Sequence, residues 1–298
     1  MGYYIKTSVV INHQIWGGQM KKILVLFSLL AFVSNTYALT DLKWWTEEYG
    51  PYNYRDKTTK KIEGISIELL EATHKELGVN MNRKNYKLAP WARGYKAAQK
   101  AGKMNVIFST TRSAAREPIF KWFGPVAPAT QSLFALKGTA KPSSDSQIKT
   151  FKIAVIRDDI AQLVLEDKKL AFKVPSSKLV RLAKIKPMFK NVAKGKTKYF
   201  AYNENVAKFS FKNLYGGEFA GKFEVVYKLA ENDELWYAVN KSVDDATVQA
   251  YQDALDKVKA KASVRKVLKA KHDFVPATKA ESLFANCGLT GSDQNCKK

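Results

Sequence analysis

The stretch NVIFSTTRSAAREPIFKWFGPVA, residues 105–127, joins an apolar run to a polar segment that contains two arginines. The apolar residues at its start predict a buried strand. The polar residues that follow predict a loop, with a helix beginning near Ser113. A strand that opens into such a loop is typical of α/β sheets, so the same alternation is expected on either side.

Strand and helix patterns alternate along the rest of the chain. Before residue 105 they predict a strand in LKWWT, a helix in GISIELLEATHKELGV, a short strand, a break at Pro90 and a helix closed by Gly102. Small and polar residues near 137–147 predict a linker. The later segments are a strand FKIAVI, helices IAQLVLEDKK and VRLAKIKPMFKNVAKG, a strand KYFAY, two strands in FEVVYKLAENDELWYAVNK, and a helix or helix pair over 244–271. This repetition on either side of residue 138 predicts two α/β lobes.

Residues 20–38 have the pattern of a secretory signal peptide. Met20 and two lysines precede the apolar run Ile23–Val33, and small residues stand before the expected cleavage point. The run is shorter than the about 20 residues of a bilayer span, so a membrane anchor is the less favoured alternative. Two glycine codons can form a ribosome-binding site just before Met20, so residues 1–19 are interpreted as an over-extended start. The protein is therefore expected in the periplasm.

The chain is strongly basic. Its formal net charge is +23, and residues 168–198 hold eleven Lys and Arg with no Asp or Glu. Such a balance can indicate a nucleic-acid or membrane-surface partner. The segment shows no helix-turn-helix and no basic motif interleaved with aromatic residues, so a solvated basic face is the favoured interpretation and no nucleic-acid partner is predicted.

Only two cysteines occur, Cys287 and Cys296, both close to the C-terminus. In an oxidising compartment they are expected to close a small disulfide loop, with free thiols as the alternative. Their spacing matches no metal motif, and the three histidines form no group with them, so no metal site is predicted.

No enzyme signature is found. The chain has no G-x-S-x-G elbow and no H-E-x-x-H motif, and in KNVAKGKT a lysine, Lys190, stands where a phosphate loop needs its first glycine. Glu47 and Glu48 are adjacent, whereas a glycosidase pair must flank the bond from two sides. The protein is therefore predicted to be a non-enzymatic binding protein without a cofactor.

Polar loops at predicted strand ends are the candidate binding residues. In open α/β sheets, ligands bind in the crevice at the carboxyl ends of the strands. Aromatic residues in these loops can pack a small molecule, arginines can hold a carboxylate, and acids or amides can hold an amine. The five loops are TEEYGPY, APWAR, FSTTRSAARE, VIRDDI and AYNENVA.

These segments, taken in order from Leu42 to Asp273, resemble the polar amino acid-type periplasmic solute-binding proteins of ABC importers, extracellular solute-binding family 3. The resemblance rests on TEEYGPYNY, GISIELLEA, IFSTTRSAAREPIFKWFGPVA, IAVIRDD and NENVA. It implies a monomer with the type II two-lobed α/β fold, each lobe a mixed sheet flanked by helices, closing by hinge motion. The expected lobes are 39–137 with 237–298, and 138–236. The expected crossing strands are SLFALK (132–137) and LWYAVNK (235–241).

The resemblance also implies roles for individual residues. Arg116 matches the arginine that grips the ligand carboxylate, and Ser109 and Thr111 match loop residues that hydrogen-bond the same group. Tyr49 and Trp91 match the aromatic walls of the site.

The opposite end of the ligand is expected to meet acids and amides. Asn203 matches the residue that holds the ligand amine, unless a one-residue shift places Glu204 there. Glu47 matches a residue that reads the ligand side chain.

Two departures from the family pattern leave the ligand open. Arg112 stands where an apolar residue is usual, and RDD, with Arg157 and Asp158, replaces a glycine-containing loop. Both arginines would favour a ligand with a second anionic group, whereas Glu47 and Glu204 would favour the opposite.

The expected function is capture of a small polar solute, an amino acid or related carboxylate, for delivery to an ABC permease. Two alternatives remain. One is a sensor that acts in trans on a signalling partner. The other is a dehydratase or lyase on the same fold, with Glu47 or Glu204 as its acid or base.

Overall fold

The computed structural model describes residues 39–170 and 172–289, so the predicted signal peptide, the predicted over-extended start and Cys296 lie outside it. The strands are β1 (Lys43–Thr46), β2 (Tyr54–Arg55), β3 (Ile62–Glu63), β4 (Lys87–Leu88), β5 (Asn105–Thr111), β6 (Phe120–Leu136), β7 (Ile153–Ile156), β8 (Leu179–Leu182), β9 (Tyr199–Asn203) and β10 (Phe223–Asn240). The helices are α1 (Ile65–Glu76), α2 (Trp91–Gln99), α3 (Asp145–Ile148), α4 (Ile160–Glu166), α5 (Ile185–Ala193), α6 (Glu204–Phe209), α7 (Asp245–Ala260) and α8 (Ala262–His272). No helix in these ranges combines the length and the apolar character that crossing a membrane requires.

Eight strands form one mixed sheet in the order β4-β1-β5-β10-β6-β9-β7-β8, and β2 and β3 form a separate hairpin. The pairs β4-β1, β1-β5, β9-β7 and β7-β8 are parallel. The pairs that involve β6 and β10 are antiparallel. Helices pack on the sheet, and the predicted α/β fold is confirmed.

Two long strands connect the halves of this sheet. β6 and β10 pair with each other from Phe223↔Leu136 to Asn240↔Phe120. The later part of β10, 235–239, also pairs with β5, whereas the later part of β6, 131–135, pairs with β9. The first half-sheet therefore contains β4, β1 and β5, and the second half-sheet contains β9, β7 and β8. This arrangement gives the two lobes.

The predicted crossing strands are segments of β6 and β10. The segment 132–136 pairs with β9 in the second half-sheet, and 235–239 pairs with β5 in the first. The predicted lobe boundaries, 39–137 with 237–298 and 138–236, stay a prediction. The strand pairing favours a boundary on β6 near residue 130.

Three local predictions are wrong. Residues 223–240 form one strand because pairing with β6 continues through register shifts across the polar part. Residues 179–182 form strand β8 and not the start of a helix, because they pair in parallel with β7. No helix begins near Ser113. The Ser113 carbonyl instead accepts hydrogen bonds from the backbone amides of Arg116 (2.8 Å) and Glu117 (3.1 Å), which closes a tight turn.

Aromatic rings fill the core beneath the first half-sheet. The ring of Trp44 lies 5.0 Å from that of His74 and 5.3 Å from that of Tyr251, measured between centroids. The rings of Phe123 and Tyr237 stack at 4.4 Å. His74 is 2% exposed, and burial lowers its pKa from 6.5 to about 4.

This buried histidine predicts a pH dependence of stability. Between the two pKa values the unfolded chain binds a proton that the folded chain does not bind, so stability is lost as the pH falls. From pH 7.5 to pH 5, His74 is expected to remove about 2 kcal/mol from the free energy of unfolding. Urea titrations of the wild type and of His74→Leu at both pH values test this. Equal pH dependence of the two proteins would contradict it.

Candidate functional site

Arg116 lies where the two half-sheets meet. It follows β5 on the turn 113–117 and is 1% exposed. Its Nη1 donates to the carbonyl oxygen of Thr111 at 3.0 Å, and its Nη2 donates to that of Asp158, in the loop after β7, at 3.4 Å. Its buried Nε has no hydrogen-bond partner among the described residues. The guanidinium therefore joins the ends of two strands and keeps a donor to spare.

Aromatic rings fix the plane of this guanidinium. The Cζ atom of Arg116 lies 5.3 Å from the ring centroid of Trp91 and 5.2 Å from that of Tyr95. Trp91 Nε1 also donates to the Asp158 carbonyl at 2.8 Å. Trp91 is the first residue of α2, in the first half of the molecule. Trp91 and Arg116 therefore both donate to the same carbonyl group, which belongs to the second half.

Two buried carboxyl groups accompany Arg116. Burial raises the pKa of Glu47, and the carboxylates of Asp159 and Glu48 raise it further, whereas Arg116 opposes this shift. Burial also raises the pKa of Asp159, again against Arg116. Asp159 Oδ2 caps α4 by accepting from the Ala161 amide at 3.3 Å. The cluster thus contains one cationic side chain, Arg116, and two carboxyl groups, those of Glu47 and Asp159.

Several buried polar atoms on β6 and β9 have no partner within the described residues, and one of them, the Tyr202 hydroxyl, lies near Glu47 and Asp159. They include the hydroxyl of Tyr202, both side-chain polar atoms of Gln131 and Nδ2 of Asn203. Gln131 and Asn203 face each other across the β6-β9 pair. Burial raises the pKa of Tyr202, as do Glu47, Tyr49 and Asp159, and the rings of Tyr49 and Tyr202 lie 5.7 Å apart. Buried polar atoms are usually paired, so this group is exceptional.

A hydrogen-bond network holds the Glu47 loop against β5. Ser109 adopts a left-handed backbone conformation with φ 57°. Its hydroxyl donates to Asn53 Oδ1, and its Oγ lies 2.7 Å from that of Ser66. Asn53 Nδ2 in turn donates to the carbonyl of Glu47 at 2.8 Å. Ser109 is therefore occupied in positioning this loop.

The structure brings together Glu47, Tyr49, Trp91, Thr111, Arg116 and the backbone of Asp158. It does not bring Arg112 to this cluster, because that side chain forms an ion pair with Glu117 at 2.6 Å, away from the cluster. Arg157 is exposed.

Glu204 also lies outside the cluster. Although burial alone would raise its pKa, hydrogen bonds from Lys208, Lys228 and Ser132 lower the pKa of Glu204 to about 2. It is therefore ionised and bound to lysines. Asn203, which pairs with Gln131 across β6 and β9, caps α6 through its Oδ1, which accepts from the Val206 amide at 3.1 Å. Its role at the ligand amine stays a prediction.

The sequence interpretation missed three residues of the cluster: Tyr95, Asp159 and Tyr202. Asp159 had a detectable signal, since an aspartate directly before an apolar helical run is a preferred N-cap. Tyr202 lies inside strand β9, where no local pattern separates a site residue from a core residue.

A cavity of about 310 Å³ opens beside Glu47 and Glu48. One wall is Leu88–Pro90 from the first half-sheet, and the other is Ala183–Lys186 with Tyr215 from the second half of the molecule. The cavity therefore extends the cluster outward between the two lobes.

The profile of the family described as "Bacterial extracellular solute-binding proteins, family 3" matches residues 43–272. The chain belongs to this family. The match confirms the predicted resemblance, and the two-lobed α/β fold agrees with it. No curated protein sequence matches this solute-binding protein at a significant level.

Solved structures show the same fold. The arginine-, lysine-, histidine-binding protein ArtJ from Geobacillus stearothermophilus is 19% identical, with a TM-score of 0.62 over 78% of this chain and 96% of that one. A histidine kinase sensor domain is 15% identical, with a TM-score of 0.66 over 79% and 98%. The GluR0 ligand-binding core from Nostoc punctiforme, in complex with (L)-glutamate, is 16% identical, with a TM-score of 0.62 over 78% and 99%. ArtJ and the GluR0 core are described with different ligands on one fold.

Proposed function

We propose that this family 3 protein binds a polar amino acid in the periplasm and delivers it to an ABC permease. The observation that carries the proposal is the buried Arg116, whose Nε has no partner among the described residues and whose cluster also holds the unpaired hydroxyl of Tyr202. A ligand carboxylate at this guanidinium would accept charge-assisted hydrogen bonds. A ligand with amine and carboxylate groups supplies the partners that these atoms lack.

The charges favour a ligand with an additional positive group. Arg112 and Arg157 are not in the cluster, so Arg116 faces Glu47 and Asp159 without further cations from the predicted set. A carboxylate bound at Arg116 would leave two acids, one for the α-ammonium group and one for a cationic side chain. The cavity gives that side chain room along the wall formed by Glu47 and Glu48, opposite Lys184 and Lys186, of which Lys186 is paired with Glu218. We therefore propose a basic amino acid such as L-arginine or L-lysine.

A thermal-shift screen over amino acids and small carboxylates tests this proposal. A ligand at 100 times its dissociation constant is expected to add about 2.7 kcal/mol to the free energy of unfolding. L-Arginine and L-lysine should raise the melting temperature most, and L-glutamate least. A screen in which dicarboxylates stabilise the protein most would contradict the proposed charge, and no response to any amino acid would contradict the function.

A sensor that acts in trans is the second candidate, because a histidine kinase sensor domain shares the fold. In transport the closed, ligand-bound protein contacts an ABC permease, whereas in sensing it contacts a signalling protein. Reconstituting the ligand-loaded protein with a candidate amino acid ABC permease from the same cell, and measuring ATP hydrolysis, separates the two. Stimulation supports delivery, and no stimulation favours the sensor.

A further inference from the structure

The C-terminal strap, residues 273–289, lies beyond the residues 43–272 that match the family. It packs against both long strands. The Trp122 amide on β6 donates to the Leu289 carbonyl at 2.8 Å. Glu234 on β10 accepts from the Ser282 hydroxyl at 2.5 Å and from the Leu283 amide at 3.1 Å. The strap is therefore fastened beside the crossing strands.

Arg112 joins the strap to the turn that carries Arg116. Its Nη2 donates to the Gly288 carbonyl of the strap at 3.0 Å, and its side chain is fully buried. The guanidinium carbon lies 4.6 Å from the ring centroid of Trp236 and 4.9 Å from that of Phe284. The strap thus supplies a ring and a carbonyl to the environment of Arg112.

The ion pair of Arg112 spans the same turn. Its Nε and Nη2 donate to the two carboxylate oxygens of Glu117 at 2.6 and 3.1 Å. Residues 112 and 117 bracket Arg116, whose own Nη1 is bound to the Thr111 carbonyl. The position of Arg116 therefore depends on a turn that is closed by backbone hydrogen bonds to Ser113 and spanned by one buried ion pair.

A contribution to stability alone does not account for this pair. Removing two charges from water costs about as much as their attraction returns, and apolar residues of similar volume are often as stable. What an apolar replacement loses is the fixed direction of a two-point contact. We propose that Arg112 is a positioning residue: together with the C-terminal strap it fixes the turn that presents Arg116 to the ligand.

The test replaces the pair with apolar residues of similar size in the full chain, as Arg112→Met with Glu117→Leu. Stability to urea is expected to stay near that of the wild type, whereas amide exchange of residues 113–117 should rise by about tenfold or more. The matched control is Arg83→Met with Glu71→Leu, a more exposed ion pair in the same half of the molecule. It should leave that exchange unchanged.

A second variant weakens the strap without touching the pair. Phe284→Ala should also speed exchange of 113–117, although less, and Arg112→Lys should restore part of the protection that Arg112→Met removes. Unchanged exchange in both Phe284→Ala and the paired variant would overturn the proposal, and so would faster exchange spread evenly over α7.

The consequence for binding rests on the proposed function. Affinity for L-arginine, measured by calorimetry, is expected to fall roughly tenfold in the paired variant, as for residues coupled in one network. If the wild type binds no amino acid, the proposed function fails, and if Arg116→Ala binds L-arginine like the wild type, only the carboxylate site at Arg116 fails. If Arg116→Ala loses binding and the paired variant keeps full affinity, only the positioning role fails. Amide exchange does not depend on a ligand and decides whether the turn is fixed by Arg112.

Discussion

Arg116→Ala is expected to weaken amino acid binding by about 30-fold to several thousand-fold, which corresponds to roughly 2–5 kcal/mol. The guanidinium is buried between Trp91 and the carbonyl groups of two loops, so the ligand carboxylate would meet it in a poorly hydrated site. Removing it would leave that carboxylate buried beside Glu47 and Asp159, without the cation that offsets them. Calorimetry with the strongest ligand of the thermal-shift screen measures the loss.

Two further substitutions make this test specific. Arg116→Lys should recover only part of the affinity, because an ammonium group lacks the planar fork of donors. Arg181→Ala is the control. Arg181 forms an ion pair with Glu166 and lies on β8, outside the site. Its affinity should stay within a few-fold of the wild type. Wild-type affinity in Arg116→Ala would show that another residue holds the carboxylate.

The second large effect is expected at Glu47. Glu47→Gln keeps the size of the side chain and removes its charge, so the ammonium or guanidinium end of a basic ligand loses a charge-assisted partner. Affinity for L-arginine should fall by about 10- to 150-fold, or roughly 1.5–3 kcal/mol. Affinity for L-glutamine should change by no more than a few-fold. An equal loss for both ligands would place Glu47 at the α-ammonium group and not at the side chain.

The raised pKa of Glu47 adds a pH signature to this test. In the ligand-free protein the protonated form is favoured by burial, so its contribution to stability is lost as the pH rises through the raised pKa. A cationic ligand favours the ionised form instead and releases the proton when it binds. Affinity for L-arginine should therefore fall as the pH drops through that pKa, by at most about tenfold per pH unit for one proton. Glu47→Gln should reduce this slope.

The sequence predicts the architecture because its signals are local and repeated. The apolar spacing of Ile65, Leu69 and Ala72 indicates a helix, and Gly78 marks its end, as α1 shows. The same reasoning fails for residues 223–240, where the polar residues 231–234 look like a turn. Pairing with β6 stops after Ala230 and resumes at Asp233, past Asn232 with φ 60°, and a partner so distant in sequence is not revealed by a local pattern.

The candidate site is predicted less completely because the direction in which each side chain points decides whether it reaches the site. Arg112 and Arg116 are only four residues apart, and the turn at Ser113 sends one to Glu117 and the other to Asp158. The φ of 61° at Asp158 similarly places its carbonyl, and not its carboxylate, beside Arg116, while Asp159 enters the cluster. Backbone geometry of this kind has no counterpart in residue composition.

The central place of β10 in the sheet has a consequence for the order of folding. β10 lies between β5 and β6, although all the strands of the second half-sheet come before it in the chain. Residues 131–230 hold a nearly contiguous set of strands, whereas β5 gains its second neighbour only when residues 235–239 have been made. Such distant pairing is slow to form. A chain shortened before residue 235 would therefore contain every strand of the second half-sheet but could not complete the first.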